Sequence, residues 1–150
     1  MGQSVIVFER QISTGTAAGS SGTFAPTLDT SLAKFSNKMV TVHVECRASI
    51  ASGGNMTGGA RLHADYVVEN KAGTVTAPAA ISGSNNPAND STTTFVASKA
   101  QAADAGVWSG SPPTLAMSIV GNKIVATFTN TASSTVNVTM IFDYDFVGST

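Results

Sequence analysis

Charged residues are scarce: only 11% of the 150 residues are Asp, Glu, Lys or Arg, less than half the roughly 25% of an ordinary soluble domain. A coiled coil or a charged disordered tail needs far more, so both are excluded. Eight basic residues against nine acidic ones leave a net charge of −1, and no segment concentrates Lys or Arg. Nucleic acid, which is bound by neutralising phosphates, is therefore not an expected partner. Cys46 stands alone, which excludes an internal disulfide and a cysteine-built zinc cluster. Long apolar runs are missing too. Val5 to Phe8 is the longest near the start, far too short to span a bilayer, so no membrane association is expected. Met1 to Arg10 lacks the basic start, long apolar stretch and small-residue cleavage site of a signal peptide.

Helix formers are equally thin. Four Leu, three Glu and three Gln stand against nineteen Thr, eighteen Ser, fifteen Val and fourteen Gly, a balance that predicts an all-β fold. The hydrophobic fraction of 42% suffices for one core in a chain of this length.

Strict alternation runs from Met39 to Ala48, with Val40, Val42, Val44, Cys46 and Ala48 on one face and Thr41, His43, Glu45 and Arg47 on the other. After the glycine-rich stretch IASGGNMTGG it resumes from Arg61 to Glu69, with Leu62, Ala64, Tyr66 and Val68 inward, predicting a long hairpin. A short strand is expected around Val75 and another over Thr92 to Val96, separated by a polar surface loop, Ser82 to Ser91. Thr114 follows Pro112-Pro113 and opens the last sheet, and Val120-Gly121-Asn122-Lys123 reads as a two-residue hairpin turn. In the final strand Val136, Val138, Met140, Phe142, Tyr144 and Phe146 share one apolar face. Together these segments predict an antiparallel β-sandwich or jelly roll of about eight strands.

Two stretches read as helical. Phe24, Leu28, Leu32, Phe35 and Met39 fall at helical spacing behind Pro26, and Lys99 to Ala105 is Ala-rich enough for one turn. At the other end, Ser13 to Thr23 has a flexible linker's composition, so residues 1–23 are expected as an extended N-terminal arm and linker, and residues 24–150 as the sandwich domain. Val5, Ile6, Val7 and Phe8, apolar on both faces, need cover on two sides, and a neighbouring copy or another assembly protein is the expected partner.

Candidate chemistry is sparse. His43, Glu45, His63 and Asp65 fall on the outward faces of two strands that pair, where two His and two carboxylates could ligate a divalent cation. No ligand-spacing motif supports this, and ordinary cross-strand polar pairs are the preferred reading. Asp143 and Asp145 lie at i, i+2, roughly 7 Å apart in a strand, which overlaps the carboxylate spacing of inverting glycosidases. Solvent-facing charges that discourage edge pairing explain them more simply. There is no G-x-S-x-G elbow, no phosphate-binding glycine loop and no H-E-x-x-H, and Cys46 sits on an apolar face as an inert thiol. No catalytic residue, metal or cofactor is expected, and the chain reads as a non-enzyme. For ligand contact the candidates are Trp108, whose indole could stack on a sugar ring although core or interface packing is the commoner use of a lone Trp, and the loop residues Asn85, Asn86, Asn89 and Asp90, which could hydrogen-bond a glycan.

The strand VTVHVECRAS, the run Ala60-Arg61-Leu62-His63-Ala64-Asp65-Tyr66, the turn Ala72-Gly73-Thr74-Val75, and the closing segments Asn122-Lys123-Ile124-Val125-Ala126 and Thr135-Val136-Asn137-Val138 resemble small β-sandwich domains of tailed-bacteriophage virions, found in fibres and head-decoration proteins. The resemblance covers approximately Val40 to Val147; these domains often place a Trp where this chain has Val138. It implies a structural virion protein made in the host cytoplasm, of capsid-decoration or head-fibre type, assembling as a homotrimer whose arm docks onto other capsid or tail proteins. The alternative it leaves open is a tail-fibre or tail-tip module that binds host surface glycans.

Overall fold

The alternating segments become the longest strands of the molecule. The computed structural model describes residues 4–52, 55–76, 95–103, 108 and 112–149. In chain order its strands are β1 (Ser4–Ala17), β2 (Thr23–Phe24), β3 (Thr27–Leu28), β4 (Lys38–Ser52), β5 (Asn55–Lys71), β6 (Thr74–Thr76), β7 (Phe95–Ala103), β8 (Thr114–Val120), β9 (Lys123–Thr129) and β10 (Val136–Ser149). They form two antiparallel sheets. One runs β1-β10-β4-β5-β6, with β7 also on β5, and the other runs β2-β9-β3, with β8 on β9. The fold is the expected all-β antiparallel sandwich. Among the described residues no helix is long and apolar enough to cross a membrane.

Period-two patterning explains the core. Val40, Val42, Val44, Cys46 and Ala48 of β4, Leu62, Ala64, Tyr66 and Val68 of β5, and the six apolar positions of β10 from Val136 to Phe146 are all buried. They meet Leu28, Leu115, Ile124, Ala126 and Phe128 of the smaller sheet in one continuous cluster. The β4–β5 hairpin holds its register from Lys38 opposite Asn70 to Ser49 opposite Gly59, and slips only at Ile50/Ala51. The hairpin turn at Gly121 and Asn122 takes positive φ at both positions, 57° and 62°, the conformation that suits the twist of the flanking strands.

Three expectations are corrected. The helical spacing of Phe24 to Met39 yields only a single 3-10 turn, Ala33–Phe35, preceded by the two-residue strands β2 and β3. Leu28 and Phe35 are still buried, but the first is reached by a strand on β9 and the second by the turn. Phe35 then meets Tyr144 and Phe146 edge-on, with ring centroids 5.8 and 4.9 Å apart, so this segment caps one end of the core. The Ala-rich Lys99 to Ala105 lies largely in a strand, β7, because pairing with β5 outweighs a weak local preference for helix.

The third correction concerns the N-terminus. β1 runs through Ser13 to Ala17, which the composition marks as linker, and pairs with β10 from Ser4 opposite Ser149 to Ala17 opposite Val136. Within this chain residues 4–17 are a strand of the main sheet, not an arm beside it. The buried Asn130 side chain holds the end of that strand: its Nδ2 donates to the carbonyls of Ala17 (3.3 Å), Ala18 (3.1 Å) and Ser134 (2.8 Å), and its Oδ1 accepts from the Ala132 N–H at 2.9 Å. Backbone bonds from Ser20 to Ala132 and from Ser21 to Asn130, both 2.8 Å, complete the link. Small residues that cannot bury themselves are thus ordered by one amide from a distant turn.

Candidate functional site

The strand registers set the polar residues of the large sheet in rows across its outer face. Arg10 on β1 lies opposite Asp143 on β10, Asp143 opposite His43 on β4, and His43 opposite Asp65 on β5. The guanidinium of Arg10 donates to both carboxylate oxygens of Asp143, Nε to Oδ1 at 2.6 Å and Nη2 to Oδ2 at 3.0 Å, while Nδ1 of His43 faces Oδ1 of Asp65. In the next rows Glu45 lies opposite His63, as the alternation predicts. The Glu45 carboxylate accepts from Arg61 and from Arg47, Nε to Oε1 of the latter pair at 3.1 Å.

These contacts decide what the carboxylates can do. The Arg10 hydrogen bonds hold the Asp143 carboxyl below its usual range, so Asp143 is not the protonated acid that a glycosidase pair with Asp145 requires. Arg47, then Arg61, hold Glu45 down in the same way. Among the described residues no group of three or more His, Cys, Asp and Glu is arranged to hold a metal ion. Burial pushes the Cys46 thiol up to about 12, where the nucleophilic thiolate is not populated at neutral pH.

Next to the charged rows the same face turns apolar. Ile6 lies opposite Val147 and Phe8 opposite Asp145, and Ile6, Phe8, Val147 and, on β4, Met39 are 56%, 75%, 52% and 52% exposed. Ile12, further along β1, is 58% exposed. A recess of about 640 Å³ opens beside this corner, lined by Phe8, Arg10, Thr41, His43, Asp143 and Asp145 among others. The inner face of β1 is tied down instead: Lys34 Nζ and Tyr144 Oη both donate to Oε2 of Glu9, at 2.6 and 2.7 Å. The Lys34 bond, with that of Tyr144 second, holds Glu9 below the ordinary glutamate range.

Of the residues singled out from sequence, Val5, Ile6, Val7 and Phe8 pair with Gly148, Val147, Phe146 and Asp145 of their own chain. Ile6 and Phe8 point outward and Val7 packs partly against the core. Trp108 is buried, 5% exposed, so its ring offers no open face to a sugar. Its indole N–H has no hydrogen-bond partner among the described residues. Asn85, Asn86, Asn89 and Asp90 lie outside the described residues. The exposed positions of Ile12, Met39 and Val147 were missed. For Ile12 a signal existed, since Ile6, Phe8, Arg10 and Ile12 continue a single period-two run.

No family model matches the chain, and no curated protein matches it. Among solved structures, the Acinetobacter baumannii phage AM24 tailspike protein is similar over 93% of this chain, with a TM-score of 0.44 and 14% identity. The chain spans about a quarter of that protein, 26% of its length; at this distance the likeness says nothing of what the chain binds or does.

Proposed function

We propose that this chain is a structural protein of a bacteriophage virion, of the capsid-decoration or head-fibre type, which works by packing against copies of itself and against neighbouring capsid or tail proteins. The observation that carries this reading is the apolar corner of the outer face, where four large side chains on three adjacent strands are each more than half exposed. Contiguous exposed apolar surface marks an interaction site in a folded protein. The resemblance of the Val40 to Val147 segments to virion domains supplies the setting. The role is read as non-enzymatic: Asp143 and Glu45 are engaged by arginines, Asp65 faces His43, and the lone thiol is buried. The homotrimer that the resemblance implies belongs to the same proposal; a three-fold contact joins two unlike surfaces, and the apolar corner supplies one of them.

Immunogold labelling of intact virions from the phage that carries this gene tests the reading. Label at fixed positions on head or tail is the expected result. Recovery of the chain only in the soluble fraction of the lysate rejects it.

The recess beside Phe8 favours one further reading, a tail-fibre or tail-tip module that binds host surface glycans, with the exposed Phe8 ring as the stacking platform in place of the buried Trp108. Host polysaccharide binding that disappears in Phe8→Ala supports it; binding absent from the unmodified chain rules it out.

A further inference from the structure

β1 uses one edge to pair with β10, and among the described residues no strand pairs with its other edge. That leaves outward-pointing N–H and C=O groups along a strand of fourteen residues. Natural sheets blunt such an edge by keeping it short, by proline, by free charges or by covering it. β1 contains no proline, and its two charges are spent inside the chain, Glu9 on Lys34 and Tyr144 and Arg10 on Asp143. The edge is therefore open to another strand.

Its sequence selects the occupant. Two copies of β1 can pair antiparallel about a two-fold axis, and the faces of the two sheets stay continuous only when the axis passes through a residue, because a one-position slip turns every side chain to the wrong face. With the axis at Glu9, Ile6 lies opposite the second copy's Ile12 and Phe8 opposite the second copy's Arg10, each pair formed twice. Exposed aliphatic side chains then cover one another, and the exposed Phe8 ring meets the aliphatic stem of an Arg10 whose guanidinium reaches back to Asp143. The two Glu9 side chains meet on the inner face, where each already holds a Lys34 ammonium. An axis at Arg10 sets two guanidinium groups against each other, and one at Phe8 sets Ile6 against Arg10.

We infer that two copies of this chain join edge to edge through β1, antiparallel about Glu9, and make one sheet of their two six-stranded sheets. This names a self-contact of the assembly proposed above and rests on that reading only for its setting. It adds a two-fold to whatever contact forms a trimer, so the solution mass by light scattering must be an even multiple of the chain's 15.2 kDa, twice it or six times it. Ile12→Lys, at a position 58% exposed and outside the apolar corner, faces Ile6 of the second copy in this register and is expected to halve that mass while the far-UV circular dichroism stays unchanged. One or three copies in the unmodified chain, or an even mass that survives Ile12→Lys, each overturns the inference. None of these outcomes moves the gold label on virions, so the two proposals fail separately.

Discussion

Asn130 is fully buried and makes four side-chain hydrogen bonds, three of them as donor. Asn130→Asp keeps the shape but removes the donors and buries a charge, so a loss of about 2–4 kcal/mol is expected in urea unfolding, more than a typical exposed substitution. The acid response follows from four carboxylates. Glu9, Glu45 and Asp143 are each held below the ordinary 4.5 of glutamate or 3.8 of aspartate by a hydrogen-bonded cation, and Asp29 by the hydrogen bond from Ser31. The folded chain thus favours their charged forms, so their stabilisation is complete above those ordinary values and is lost as pH falls through them and below. The melting temperature should be level above about pH 5.5 and decline from about pH 5 toward pH 3. Lys34→Met should shrink that decline, as it removes the largest cause acting on Glu9. Cys46, with its thiol up at about 12 and no exposure, should react with a thiol reagent only once the chain unfolds.

Elements whose partner is a neighbour in sequence were legible beforehand. The β4–β5 hairpin, the inward face of β10 and the Gly121–Asn122 turn all follow from patterns within one or two strands. Asn122 shows how much such a turn residue can carry: besides its φ of 62°, its Oδ1 accepts the Val75 N–H at 3.0 Å. Asn122→Gly keeps the conformation and loses that bond, whereas Asn122→Ala loses both. Expected costs are about 1 kcal/mol for the first and about 2 kcal/mol for the second, read as a shift in the urea midpoint. Elements ordered from a distance were not legible. Ser13 to Ala17 reads as linker because nothing nearby supplies a partner; β10 and Asn130 do, from more than a hundred residues away. Leu28 and Phe35 match a helical period by coincidence of spacing, since two different elements bury them. The candidate surface was half visible for the same reason: Ile6 and Phe8 stand out in the sequence, but only the register with β10 and β4 gathers Val147 and Met39 beside them.

In the whole molecule, the first strand closes the sheet on the last. Removing residues 1–12 should therefore not release an intact sandwich from a dispensable tail. It strips most of β1 from β10 and uncovers a new edge along Ile141 to Ser149, so a lower melting temperature and concentration-dependent aggregation are expected by circular dichroism and light scattering. The same pairing fixes how the protein bears load. Ser4 lies directly opposite Ser149, so a pull applied at the two ends draws β1 away from β10 as a zipper opens, breaking a few hydrogen bonds at a time. Tension along the strand direction instead strains the whole ladder together. An assembly that must resist shear or internal pressure gains most from this chain when it is gripped across its face and least when it is strung between its ends.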